Sequence, residues 1–344
     1  MKPSFIQHVK DQWSTLPPVA HADLTGKVVV VIGANVGLGF EASKHFARMN
    51  PGKLILACRS KEKGDAALAQ IKQETGCTTA EVWIIDLSSF ASVISFADRL
   101  ETECGRLDIL VENAAIAVGN VVFTADNWES ALQTNVLSGT LLALLLLPRM
   151  LETAEKHNTT PRLAVVTSGL HYSVSFDEKF VKEPNFLRRY AHKDFRRPGT
   201  MDVREYSETK LLNVLFARAL SDRLHGKPVI VNSLDPGFCY SSLRRHTTGF
   251  KTLMYKTMEC ALARTSEEGS RQIVFAAIGD EENKNELRGA YLTMSKVQEP
   301  SDWVIGEDGQ RAQNKIWNEF IEELSEVEPR VQQIVQNYLT EPFI

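Results

Sequence analysis

Tyr206 and Lys210 stand four residues apart in the segment Tyr206-Ser207-Glu208-Thr209-Lys210, which opens an apolar-periodic stretch running to about His225. On a helix, residues at i and i+4 share a face. A phenol unaided titrates at about 10, and a neighbouring ammonium stabilises phenolate, so the pair is suited to exchanging a proton with a substrate oxygen. Tyr-x-x-x-Lys alone is a frequent helical pattern, and its companions give it meaning. Ser168 falls just past one apolar strand-like run, Asn135 in the helix after another, and Pro236-Gly237 after a third. All are expected at strand C-terminal ends or in adjoining helices, the side on which doubly wound sheets bind ligands.

A second cluster lies near the start of the chain, in Gly33-Ala34-Asn35-Val36-Gly37-Leu38-Gly39. It follows an apolar run and precedes a helical pattern through Phe46, so the order is strand, glycine turn, helix. Glycines let backbone turn tightly and approach a pyrophosphate, whose charge rests against unpaired N–H groups at the helix N-terminus. The spacing is G-x-x-x-G-x-G rather than the commoner G-x-G-x-x-G. At the end of the second strand, where an acid would accept both ribose hydroxyls of NAD, the sequence has Cys58-Arg59. Arg59 can instead make charge-assisted hydrogen bonds to a 2′-phosphate, which favours NADP(H). Asp86-Leu87 after the third strand and Glu112-Asn113-Ala114-Ala115 after the fourth are further candidates for the cofactor side.

These residues require a scaffold of alternating strands and helices. Lys27–Ile32, Lys53–Ala57, Glu81–Ile85, Asp108–Val111, Arg162–Val166, Val229–Ser233 and Ala290–Thr293 read as strands. Their continuous apolar content, without in/out alternation, suits a parallel sheet buried on both faces. The expectation is an α/β fold in one domain: a Rossmann-type doubly wound parallel sheet of about seven strands with helices on both faces. Residues 1–23 form an N-terminal extension, with Phe5, Ile6, Val9 and Trp13 at near-helical spacing before Pro17-Pro18. Residues 24–300 make the cofactor-binding and catalytic domain, with an insertion at 170–205 and a substrate lid at 241–264. Residues 301–344 form a C-terminal helical extension.

Bulk properties narrow the classes of function. The 344 residues are 43% hydrophobic and 24% charged with a net charge of −4, enough apolar content for a full core and no basic footprint for nucleic acid. The five cysteines, Cys58, Cys77, Cys104, Cys239 and Cys260, show no C-x-x-C pair or metal-ligand spacing and read as reduced thiols. No metal is expected. No signal peptide pattern occurs in Met1–Thr25, so a cytoplasmic location is the default, in which the sequon at Asn158 has no role. The apolar stretch Leu141–Pro148 falls short of the roughly 20 residues that span a bilayer and reads as a buried helix.

From Gly33 to Ser241 the joint pattern resembles the short-chain dehydrogenase/reductase family, over roughly residues 24 to 295. The glycine turn is similar to that family's T-G-A-N-x-G-I-G, with Ile32 in place of threonine. The resemblance implies a catalytic tetrad: Tyr206 exchanges the proton, Ser168 hydrogen-bonds the substrate oxygen, Lys210 holds the nicotinamide ribose and Asn135 supports a water-linked proton path. It further implies that Gly33, Asn35, Gly37, Leu38, Gly39, Arg59, Asp86, Leu87, Asn113, Tyr206, Lys210, Pro236, Gly237, Cys239 and Ser241 contact the cofactor. The family's N-N-A-G segment is matched here only at Asn113 and Ala114, and Ser241 keeps a hydroxyl where threonine is common. The Ala-Cys-Arg strand end, the segment from Thr167 and the helix start at Thr265-Ser266-Glu267-Glu268-Gly269 look like the retinol-dehydrogenase-like branch. The N-terminal extension resembles fungal members of secondary metabolism.

Between Ser168 and Tyr206, the aromatics His171, Tyr172, Phe176, Phe180, Phe186 and Tyr190 could wall a lipophilic or ring-bearing carbonyl substrate, or pack the insertion on itself. His171 and His246 read as local structure, since the tetrad already supplies acid and base. A homodimer or homotetramer through the helices at Leu141–Leu147 and Leu211–Leu220 is what the family suggests. The rival readings are a non-catalytic NADP(H)-sensing protein, an NAD-preferring alcohol dehydrogenase, and an epimerase or dehydratase acting on nucleotide-sugars.

Overall fold

In a computed structural model, which describes residues 5–177, 182–195, 199, 201, 203–241 and 250–341, the chain alternates strands and helices. The order is α1 (Phe5–Trp13), β1 (Val28–Ile32), α2 (Gly37–Ala47), β2 (Lys53–Cys58), α3 (Lys61–Thr75), β3 (Ala80–Ile84), α4 (Phe90–Glu103) and β4 (Ile109–Glu112). One turn of helix at Ser130–Leu132 and a π-helical turn at Gln133–Leu137 then run into α5 (Ser138–His157) and β5 (Arg162–Val166). After a 3₁₀ turn at Gly169–Ser173 come α6 (Phe186–Ala191), α7 (Val203–Arg223), β6 (Ile230–Leu234), α8 (Phe250–Leu262), α9 (Ser266–Ile278), β7 (Tyr291–Thr293) and β8 (Lys296–Gln298). The chain closes with α10 (Asp302–Ile305), α11 (Glu307–Val327) and α12 (Arg330–Tyr338).

The sheet order is β3-β2-β1-β4-β5-β6-β7-β8. Pairing is parallel through β7, so β1 lies between β2 and β4, and the strand order reverses there. That reversal leaves a crevice at the strand C-termini, where α2 begins. β1, β5 and β6 are buried at every residue, as strands covered on both faces must be. One core layer joins the sheet to α4, α5, α7 and the C-terminal helices; the other joins it to α2, α3 and α9.

The sheet has eight strands rather than seven. β8 pairs antiparallel with β7 across Met294-Ser295, both at positive φ. A three-residue strand closed by a turn without glycine carries none of the usual hairpin signals. The apolar helix is also longer than Leu141–Pro148 suggests. From Ser130 to His157 it is long and apolar enough to cross a membrane, yet 83% of its most apolar window is buried inside the protein. Its last carbonyls are closed off by Asn158 in the left-handed conformation (φ 50), a C-cap role that accounts for this asparagine.

The two helices expected to meet a second subunit are covered by the chain's own C-terminus. Leu141–Leu147 and Leu211, Leu212, Leu215 and Leu220 are all buried. α12 packs on α5 and α11 on α7, with Phe216 stacked on Trp317 (6.3 Å) and edge-on to Phe320 (6.3 Å). Arg223 lies 4.5 Å over the Trp317 ring, and Gln313 Nε2 donates to Asp222 (2.8 Å).

Candidate active site

β1 ends where Gly33 takes φ +80, and Gly37 takes φ +64 at the head of α2. A Cβ on Gly39 would fall 2.4 Å from the Gly33 carbonyl oxygen and 2.5 Å from Asn113 Nδ2. Only glycine permits this approach of helix to strand end. Val36 precedes α2 without a side-chain cap, so the first N–H groups of the helix face the crevice unsatisfied by any capping side chain. This is a cradle of the shape and polarity that a pyrophosphate needs. Asn35 is half-buried in the same turn, and Leu38 packs toward Gly269 of α9.

Asn113 holds the turn together: its Nδ2 donates to the carbonyls of Ile32 and Gly33, each at 3.2 Å. Arg59 is exposed at the end of β2, just before Ser60 caps α3. No ion-pair partner holds it among the described residues. Asp86 and Leu87 lie beyond β3 rather than at its end. The Asp86 carboxylate accepts from Ser88 N (2.9 Å) and Ser88 Oγ (2.7 Å), forming its own turn, while the Leu87 side chain is buried in the core.

At the opposite side of the crevice, Thr167 donates both its N–H (2.7 Å) and its hydroxyl (2.8 Å) to Leu234 O, pinning the end of β5 to β6. Ser168 follows, half-buried, with its Oγ accepting from Leu170 N (3.2 Å). The 3₁₀ turn after it packs on α7, which carries Tyr206 and Lys210. Tyr206 is half-buried, and Lys210 Nζ lies 5.7 Å from its ring centroid. Lys210 is buried and donates to Val166 O at 2.9 Å. Burial pushes its ammonium down to about 8, against the pull of the Glu112 carboxyl in the other direction.

Asn135 sits in the π-helical turn. Its Oδ1 accepts from Ile116 N (2.8 Å) and its Nδ2 donates to Ile116 O (2.9 Å) and Thr209 Oγ1 (3.2 Å). The widened turn frees the Asn135 carbonyl, which accepts from Asn213 Nδ2 (3.0 Å). Asn213 and Thr209 therefore fasten Asn135 to α7, a role not foreseen from the sequence. A signal existed for Asn213, since 206, 210 and 213 fall on one helical face.

Pro236 is buried, and Gly237 (φ +79) donates its N–H to Asp235 Oδ1 (3.0 Å). Cys239 turns its thiol inward, with Sγ donating to Pro236 O (3.4 Å), so any contact it makes with a cofactor runs through backbone. Ser241 is half-buried beside it. Of the expected lid, residues 242–249 lie outside the described residues, as does His246. The base of that segment is tied to the N-terminal helix. Gln12 Nε2 donates to Phe238 O (2.9 Å) and Leu262 O (3.0 Å), and Gln12 Oε1 accepts from Phe238 N (3.1 Å).

The aromatics of the insertion mostly face the core rather than the crevice. Phe176 and Phe186 are buried edge-on at 5.0 Å, Tyr190 stacks on Phe186, and Trp303 meets Phe176. Packing of the insertion on itself and on the C-terminal extension accounts for them; Phe180 lies outside the described residues. His171 is wholly buried between Tyr172 and Tyr291. Ser301 N donates to its Nε2 (3.2 Å), so its Nδ1 carries the proton and donates to Ser168 O (2.8 Å).

The structure thus brings Asn135, Ser168, Tyr206, Lys210 and the glycine cradle to the C-terminal ends of adjacent strands. The short chain dehydrogenase family matches at residues 27–161. The short chain dehydrogenase/reductase dmxR8 of Cryptosporiopsis sp. is 35% identical, covering 91% of this chain and 95% of its own. The short-chain dehydrogenase anuD of Penicillium roqueforti is 35% identical over 92% of this chain and 82% of its own. Among solved structures, an uncharacterized protein from Mycobacterium paratuberculosis superposes with a TM-score of 0.62 at 26% identity, over 90% of this chain and 98% of its own. The NADPH and L-sorbose complex of L-sorbose reductase from Gluconobacter frateurii shares the fold, with a TM-score of 0.58 at 18% identity, over 80% of this chain and all of its own. With relatives at this identity over nearly its whole length, the chain belongs to the short-chain dehydrogenase/reductase family of oxidoreductases.

Proposed function

We propose that the protein is an NADP(H)-dependent reductase or dehydrogenase that interconverts a carbonyl and an alcohol on a small lipophilic metabolite, in the cytoplasm and within secondary metabolism. The observation that carries the reading is the buried Lys210 ammonium beside the Tyr206 ring, fixed by its bond to Val166 O. A positive charge held there favours phenolate, so Tyr206 gives up and regains a proton readily. Ser168 offers a hydroxyl where negative charge develops on the substrate oxygen. Asn135, bonded to Ile116, Thr209 and Asn213, ties the π-helical turn to α7, the helix that carries the lysine.

The residues fit a nicotinamide dinucleotide phosphate. Gly33 and Gly39 let α2 pack tightly on the strand end, Gly37 has open space beside it for a pyrophosphate, and exposed Arg59 could meet a 2′-phosphate. Such a cofactor supplies hydride chemistry. Ser241 and the backbone at Pro236-Gly237 would orient its nicotinamide end, and residues 241–264 would cover the substrate.

The test is NADPH and NADH oxidation against a panel of ketones, aldehydes and quinones. Turnover with NADPH should fall at least about 1,000-fold in Tyr206→Phe. Arg59→Ala should weaken NADPH binding about 10- to 100-fold and leave NADH unchanged. Equal affinity for the two cofactors in the unaltered protein would refute the NADP(H) preference, and binding of neither would refute the oxidoreductase reading of this site.

A further inference from the structure

Glu112, the last residue of β4, has a carboxyl that no structural role accounts for. Its Oε1 is sealed from solvent and has no hydrogen-bond partner among the described residues. The group borders a cavity of about 10 Å³, lined also by Thr134, Asn135, Gly139, Val166 and Asn213. That space is near the minimum for one water molecule, and the polar groups around it are what such a water needs. Glu112 as a whole is half-buried, but an enclosed carboxylate oxygen without a partner is costly, so the group sits there protonated or is met by a water in the cavity.

The surrounding sequence makes room for it. A Cβ on Gly139 would lie 3.0 Å from Glu112 Oε2, so any other residue at this position of α5 would crowd the carboxyl. Glycine inside a helix costs about 1 kcal/mol relative to alanine. Asn135 and Asn213, which tie the π-helical turn to α7, line the same cavity, as does Val166, whose carbonyl receives Lys210 Nζ. Lys210 is the charged group that acts on Glu112, and the other residues at the cavity bring no titratable group. Burial pushes the carboxyl up to about 8, with Lys210 pulling it down, so acid and amine come into the same range.

We propose that Glu112 is the inner proton store of this active site, exchanging a proton with Lys210, whose carbonyl partner Val166 lines the cavity beside Glu112 and Asn135. The inference rests on the reductase reading above. During carbonyl reduction the substrate carbon receives hydride from NADPH, and the Tyr206 O–H bond breaks as the product O–H bond forms. The phenolate recovers its proton from the Lys210 ammonium, and the Glu112 O–H bond then breaks as an N–H bond re-forms on the lysine. Solvent finally returns a proton to the carboxylate, so one proton is consumed per turnover. In the oxidative direction each transfer reverses. Glu112 acts through Lys210 and is a positioning and proton-holding residue rather than a group that touches substrate.

Two measurements test this. Infrared titration of the purified protein from about pH 6 to about pH 10 should show a protonated-carboxyl band that disappears near pH 8, is missing in Glu112→Gln, and moves to higher pH in Lys210→Met. This arm needs no turnover and so stands apart from the fate of the reductase reading. For turnover, with 9,10-phenanthrenequinone and NADPH as probes, Glu112→Gln should lower kcat about tenfold, leave KM for NADPH unchanged and shift the pH profile. Glu112→Asp should recover part of the rate. A carboxyl that titrates in the ordinary range, a band indifferent to Lys210→Met, or a Glu112→Gln profile that overlays the parent would each overturn the proposal. If Tyr206→Phe is as active as the parent, the reductase reading fails, and the infrared result still decides whether Glu112 and Lys210 share a proton.

Discussion

His171 links the serine of the site to the C-terminal extension, and replacing it measures that link. In His171→Phe the ring is kept against Tyr172 and Tyr291, whose centroids lie 4.1 and 4.6 Å away, but both hydrogen bonds are lost. Ser301 N is then left without its partner, whereas Ser168 O keeps the backbone N–H of residue 171. A buried polar group left unsatisfied costs about 1–3 kcal/mol, so with Ser301 N orphaned the expected loss is roughly 2 kcal/mol near pH 7.5. The loss also depends on pH. Burial holds His171 below the usual histidine value of 6.5, and a protonated ring could not accept from Ser301. Below about pH 6.5 the unfolded chain takes up a proton that the folded one refuses, so this stabilising contribution is complete above 6.5 and declines as the pH falls, by up to about 1.4 kcal/mol per unit. Phenylalanine has no such dependence. Urea unfolding of both proteins at about pH 7.5 and about pH 5.5 should therefore show the stability gap narrowing, by at most about 1.4 kcal/mol. His45 and His192, also held low by burial, are present in both proteins and cancel. A loss under about 1 kcal/mol at pH 7.5, or a gap that stays constant with pH, would refute the reasoning.

Two further outcomes are expected. Gly39→Ala places a Cβ 2.4 Å from the Gly33 carbonyl, which belongs to the strand end and cannot swing aside. NADPH affinity by fluorescence titration should fall at least about 100-fold with the far-UV spectrum unchanged, and retained affinity would mean the turn does not approach the cofactor. Phe320→Ala removes a fully buried ring against Phe216 and should cost about 3–5 kcal/mol in urea unfolding. With α11 covering α7, this loss should be the same at different protein concentrations; a loss that changes with concentration would mean that α7 is also held by a subunit contact.

Much of the molecule is legible from local pattern. The unbroken apolar run of β1 and the largely apolar, wholly buried β5 and β6 are pattern made visible, since a strand with helices on both faces has no solvent side to alternate with. Thr265 and Glu268 are close in sequence, and they form the capping box that starts α9. The glycine turn, the spacing of Tyr206 and Lys210, and the hydroxyl of Ser168 likewise declare themselves because turn geometry and helical repeat are short-range properties. Other features depend on residues far apart in the chain. The tautomer of His171 is set by Ser301, the hold on Asn135 by Asn213, and the surroundings of Glu112 by a cavity drawn from β1, β5, α5, α7 and the π-helical turn. Phe176 and Phe186 read equally well as a pocket wall or as packing, and only the arrival of Trp303 and α11 decided the matter. The same holds for the leucines of α5 and α7. An apolar face states that it must be covered, through the hydrophobic effect, but it does not name its cover. Here that cover is the chain's own C-terminal helices, and no local signal in α5 or α7 distinguishes them from a second subunit.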